Sequence, residues 1–199
     1  MRDVFIIEPA TQILADDAYV VSYPHLLEYF SSKQSLDAGD VVRGAHMVYG
    51  WMPTILTLYP EQGKAGLDKA AKTLEKARKG EALNDQEIEG LASLVNNSLV
   101  GASKLLHFVA PAYFPIWDSN VYSFIHESRP HYYLVNSLEE YKGYVQLLKD
   151  LAIKPGFQNF HGSVQRKLGY IVSPMRALEL VMFLNPFKGD NGPRPPGTC

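Results

Sequence analysis

Two residues of opposite charge, Lys104 and Asp118, stand out as groups that could do chemistry together. Lys104 falls early in an apolar helical stretch, KLLHFV, and Asp118 follows a segment stiffened by Pro111 and Pro115. Pro115 keeps Phe114 extended and fixes the approach to the residues after it. Asp118 then falls where a carboxylate can accept hydrogen bonds from the free amides of a helix start. A lysine and an aspartate brought together by such a return could act in two ways. The carboxylate could stabilise developing positive charge and orient a water, and the amine, if desolvated, could attack an electrophilic carbon and form a Schiff base. Other readings stay open for each. Asp118 could be a plain N-cap, and Lys104 could touch a phosphate from the surface.

The elements that must position this pair lie between Ser98 and Ile125. The spacing predicts a turn at Leu99–Gly101, a helix over Ala102–Val109, a stiff loop, and a second helix opening at Asp118. Upstream, Asn84 as N-cap with Glu87 three residues on forms a capping-box pattern, and Ile88, Leu91, Leu94 and Val95 give its helix an apolar stripe. Ser137 with Glu140 marks another helix start, followed by Tyr141, Tyr144, Leu148 and Leu151. Gln158–Val172 and Pro174–Leu184 read as two more helices, with Ser173 and Pro174 opening the second. Asp17–Ser31, interrupted by Pro24, and Asp40–Met52 read as helical near the start. Val4–Ile7 is a short strand or extended arm, and His126–Asn136 an aromatic loop. No strand-rich region or internal repeat appears. The expectation is an all-α fold of about eight helices, as a single body or as two small lobes around a cleft, with residues 1–188 as one domain and a flexible tail from 189 to 199.

The stretch 97–124 resembles the core of the helix-hairpin-helix DNA glycosylases. In that family a glycine-containing hairpin binds the DNA backbone, and an aspartate on a proline-fixed return acts at the sugar. Gly101 resembles the hairpin glycine, Lys104 the lysine that some members use as nucleophile, and Asp118 the catalytic aspartate. The resemblance implies that Leu99, Val100, Gly101 and Ser103 contact DNA. It also implies a double-stranded DNA partner, extrusion of a modified base and cleavage of its N-glycosidic bond, in repair or in defence against phage DNA with modified bases. Tyr49, Trp51, His107 and Trp117, with Tyr113, are the flat or hydrogen-bonding groups available for a base pocket. Tyr49 and Trp51 read equally as ordinary core residues.

Composition limits the rest. The chain has 199 residues, of which 46% are apolar, enough for a full core. A formal charge of −2 provides no bulk attraction to DNA or membrane, so binding must come from a local patch. The most basic stretch, Gly63–Gly80, could supply phosphate contacts or be a solvated helix face. The only cysteine is Cys199, which leaves no internal disulfide and no four-cysteine cluster. The six histidines show no metal-ligand spacing, and no phosphate-binding glycine loop or serine-hydrolase elbow is present. We therefore expect no cofactor and no metal, a monomer, and, with Val4–Ile7 too short for a signal-peptide core, a cytoplasmic protein. The competing expectation is a non-enzymatic helical module that binds DNA or a protein.

Overall fold

The computed structural model describes residues 2–61 and 63–188. Eleven α-helices and one 3-10 turn account for its regular structure: α1 Val4–Ile7, the 3-10 turn Glu8–Ala10, α2 Ala18–Ser31, α3 Ala38–Trp51, α4 Lys64–Arg78, α5 Asp85–Leu94, α6 Leu99–Val109, α7 Ser119–His126, α8 Tyr132–Val135, α9 Leu138–Ala152, α10 Phe157–Leu168 and α11 Pro174–Leu184. The only β-pairing among the described residues is an isolated bridge between Leu58 and Val95. The all-α expectation agrees with this, and the helix number is higher than expected in part because two short segments, Val4–Ile7 and Tyr132–Val135, also coil. Val4–Ile7 is a helical turn, not a strand or arm, because the Asp3 side chain accepts from the Phe5 amide at its start. Tyr132–Val135 forms a single turn inside the segment read as a loop. Pro24 does not split α2, which runs unbroken from its Asp17 cap.

The caps lie close to where side-chain chemistry puts them. Asn84 and Glu87 form the reciprocal capping box of α5, Ser137 caps α9 and Ser173 caps α11, each satisfying amides that a helix start leaves free.

Most of the packing falls into two groups. In the first, α6 lies against α2, α3, α4 and α5; in the second, α11 lies against α1, α7, α9 and α10. The two central helices carry the apolar positions of both groups: Leu105, Leu106 and Phe108 on α6, and Ala177, Leu178, Val181 and Met182 on α11, are all buried. Helices buried around most of their circumference need apolar residues on nearly every face. The charged residues that interrupt these two helices therefore need an explanation, and all of them face the space between the groups. The tail from 189 to 199 lies outside the described residues.

Candidate functional site

The segment that delivers Asp118 is held almost atom by atom. After α6 ends at Val109, the backbone returns through 114–118, and the core side chains take its polar groups in turn. His107 Nδ1–H donates to the Phe114 carbonyl (2.8 Å), the Tyr141 hydroxyl to that of Pro115 (3.2 Å) and the Tyr144 hydroxyl to that of Ile116 (3.0 Å). The Ser103 hydroxyl accepts from the Trp117 amide (3.1 Å), and Trp117 Nε1–H donates to the Val135 carbonyl (2.8 Å). Buried peptide groups are costly when unpaired, so these five contacts fix the return in one conformation.

Asp118 then does two things with its two oxygens. Oδ1 accepts from the amides of Asn120 (2.9 Å) and Val121 (3.1 Å), which caps α7. Oδ2 faces the Lys104 ammonium nitrogen at 3.7 Å. Both side chains are about nine-tenths removed from solvent, with 12% of Lys104 and 11% of Asp118 exposed. Burial pulls the Lys104 ammonium below the ordinary lysine range, and the nearby carboxylates of Asp118 and Glu179 only partly oppose it. Lys104 thus lies desolvated in a cleft wall and not on an outer face.

Lys104 and Asp118 line two adjoining cavities. One, of about 480 Å³, is walled by Tyr19, Trp51, Leu180 and Phe183 and also presents Arg176 and Glu179. The other, of about 320 Å³, runs past Tyr49, Asn96, Ser98, Ser119 and Asn120. The aromatic wall of the larger cavity is ordered by edge-to-face packing of Trp51 on both Tyr19 (5.3 Å) and Phe108 (5.1 Å).

The other residues singled out from sequence take different places. Of the aromatics considered for a base pocket, only Trp51 lines the larger cavity, and Tyr49 borders the smaller one with its hydroxyl bonded to the Val95 carbonyl. His107 and Trp117 are fully buried and line neither cavity; His107 Nδ1 and Trp117 Nε1 are consumed in pinning the 114–118 return, and His107 Nε2 pairs with the Tyr23 hydroxyl. Tyr113 packs beside Gly80, away from both. Gly101 is no turn residue. The turn before α6 is made by Asn96 (φ 58°) and Asn97 (φ 48°), consecutive residues in the left-handed region, which asparagine tolerates better than most side chains. Gly101 lies inside α6, where a Cβ would fall 2.0 Å from the Tyr49 hydroxyl, so its role is to let α3 and α6 approach. The first amides of α6 are also largely engaged: Leu99's donates to Asn136 Oδ1, Gly101's to Ser98 Oγ and Ala102's to the Ser98 carbonyl. Leu99 and Ser103 are buried, and Val100 borders the smaller cavity.

Two residues were not picked out from sequence. Arg176 and Glu179 sit one turn apart on α11, both buried, with Arg176 Nη1 donating to Glu179 Oε2. The only hint was a charged pair, Arg-x-x-Glu, inside an otherwise apolar helix. Among the described residues no group of three or more His, Cys, Asp or Glu is placed to hold a metal ion, and no helix is long and apolar enough to cross a membrane.

No family model, curated protein or solved structure matches this chain.

Proposed function

We propose that the protein is a DNA glycosylase, which extrudes a modified base from duplex DNA and cleaves its N-glycosidic bond. The observation that carries this reading is the position of Lys104 and Asp118 at the junction of two cavities, one aromatic-walled and one polar. A flipped nucleotide has the same division: a flat base, a sugar carbon, and a phosphate-bearing strand. With the base in the larger cavity and the strand along the smaller one, the sugar carbon lies at the junction. There the bond to the base nitrogen breaks with its electron pair going to the base. Asp118 Oδ2 stabilises the cationic sugar and takes a proton from the water that attacks it. A deprotonated Lys104 can attack the same carbon instead, giving a covalent Schiff base. The burial of Lys104 favours this role over phosphate contact from the surface.

The test is single-turnover excision on duplexes that each carry one modified base, with borohydride added in parallel. Release of one base, lost in Asp118→Asn, supports the reading. A covalent adduct lost in Lys104→Gln assigns the lysine. Duplex binding without any product across the panel overturns the enzyme and leaves a binding module.

A further inference from the structure

The two most exposed aromatic side chains among the described residues stand next to each other on α8. Tyr132 is 69% exposed and Tyr133 76%, and Leu134 after them is exposed as well. A single apolar residue on a surface is ordinary, but a run of three on one short turn is a patch, and such patches mark interactions.

The patch is not a loose tip. The amides of Leu134 and Val135 donate to the His131 carbonyl (3.0 Å each), and the Asn136 amide donates to that of Tyr132 (3.1 Å). The turn is tied to the core behind it, since Trp117 Nε1–H reaches the Val135 carbonyl (2.8 Å) and Asn136 Oδ1 accepts from the Leu99 amide at the start of α6 (3.2 Å). The rings brace one another, with centroids 5.5 Å apart for His131 and Tyr133 and 5.7 Å for the edge-to-face pair Tyr132 and Tyr133. Two aromatic rings are thus presented to water in a fixed arrangement, and the cost of ordering them falls at folding and not at binding.

Their place and their charge decide what they meet. Val135 lines the smaller cavity, so Tyr132, one helical turn before it, lies beside the channel assigned to the DNA strand without lining it. An intact duplex shows phosphates on its outside, and gripping those takes cations. This surface is unsuited to that. The chain carries a formal charge of −2, α8 has no charged residue, and α9 behind it opens with Glu139 and Glu140. What tyrosine rings hold without cations is the flat face of a base. Within a duplex each such face is covered by its neighbours in the stack, and only unpaired bases offer it.

We propose that Tyr132 and Tyr133 form a stacking platform for unpaired bases, and that the DNA this protein acts on is open beside the target nucleotide, as in a bubble, a junction or an overhang. The inference rests on the glycosylase reading for the course of the strand, whereas affinity for unpaired DNA is a property of the platform itself. Stacking is tolerant of base identity, so the platform selects the state of the strand and not its sequence.

Fluorescence anisotropy with an unmodified oligothymidylate and with a fully paired hairpin, each over a range of salt, reads the platform without any excision. We expect the single strand to bind more tightly than the hairpin and with a shallow salt dependence. Tyr132→Ala/Tyr133→Ala should lose about tenfold or more of that affinity, the scale of base–aromatic stacking, and Tyr132→Phe/Tyr133→Phe should keep it, because a ring without its hydroxyl still stacks. Both positions are exposed, so urea midpoints should match wild type. In parallel, single-turnover excision is compared on substrates whose modified base is flanked by paired or by unpaired nucleotides, with the unpaired form faster in wild type and that advantage lost in the alanine variant. Single-strand preference that follows the rings, without excision of any substrate, overturns the glycosylase and leaves the platform standing. Excision indifferent to flanking pairing, with equal affinity for hairpin and single strand, overturns the platform and leaves the glycosylase. Unchanged single-strand affinity in the alanine variant also overturns the platform, and if that variant sediments as a smaller species than wild type, the face belongs to a second copy of this chain. The comparison of strand forms in wild type stands without any variant.

Discussion

The charges on α4 and those in the cleft make an instructive contrast. On α4, the two cations of the last turn, Lys76 and Arg78, are engaged by anions and carbonyls, while Lys64, Lys69 and Lys72 are exposed to solvent. Lys76 lies 2.9 Å from both carboxylate oxygens of Glu87, and Arg78 bonds Glu75 and the carbonyls of Lys33 and Gln34. These contacts tie α4 to α5 and to the end of α2. In the cleft, Lys104 and Asp118 stand 3.7 Å apart and Arg176 keeps a free donor. The basic stretch has more charge, either paired or hydrated, and the cleft holds its charges away from water with their contacts incomplete. It is the second state that a ligand or transition state can use, because an engaged group must break a contact before it makes another.

Substitutions at Asp118 should break this contrast most severely. Asp118→Asn keeps the cap on α7, so stability should fall by no more than about 1 kcal/mol, while excision should drop by about a thousandfold or more as the stabilising charge is lost. Equal rates in folded wild type and mutant would reduce Asp118 to a cap. Lys104→Met should lower the melting temperature, because it leaves the buried Asp118 carboxylate without its cation, and the borohydride-trapped adduct should vanish.

Next in size is Gly101→Val. Any side chain there collides with Tyr49, so α3 and α6 must part at a cost of about 1–3 kcal/mol, read in chemical denaturation. Loss of DNA affinity with unchanged stability would return Gly101 to a phosphate-binding role.

The pH dependence should show two opposed signatures from one cluster. Burial pushes His107 down to about 3 from an ordinary 6.5, so the unfolded chain binds more protons and stability falls as pH drops from about 6.5 toward 3. Burial pushes Glu179 up to about 7 from 4.5, so its contribution is present below about 4.5 and is lost as pH rises through 7. The two slopes oppose each other between about 4.5 and 6.5. Glu179→Gln should therefore steepen the acid-side loss in that window, measured as urea midpoints against pH. An unchanged profile would mean the carboxyl is not buried as described. The smallest effect is expected at Lys76→Gln, within about 1 kcal/mol as for partly exposed ion pairs and without change in the salt dependence of DNA binding.

Local signals revealed much of this arrangement. Capping boxes, apolar stripes and Pro174 at a helix start are encoded within a few residues, and they marked α5, α9 and α11 closely. Lys104 and Asp118 were legible because the prolines that join them lie between them in sequence. Arg176 and Glu179 were not, since their partners Tyr23 and Trp51 come from α2 and α3, far away in the chain. His107, Trp117 and Ser103 were noticed as chemical groups, but only tertiary packing shows that they hold the return in place. Gly101 was read as a turn for a similar reason: nothing local in sequence reveals the Tyr49 ring against it.

One residue of the hairpin also bears on the rim of the cleft. The Asn96 side chain donates to the Ile55 carbonyl (2.8 Å) and accepts from the Thr57 amide (2.6 Å), and its own backbone amide donates to the Thr57 carbonyl. The segment after α3, whose Met52 and Thr54 border the smaller cavity, is thereby clamped to the tip of the α5–α6 turn. An ordered rim has surrendered its conformational entropy at folding rather than at binding, so a ligand that enters loses less on arrival. Asn96→Ala would leave the reacting groups in place and be felt chiefly as a slower, less favourable association.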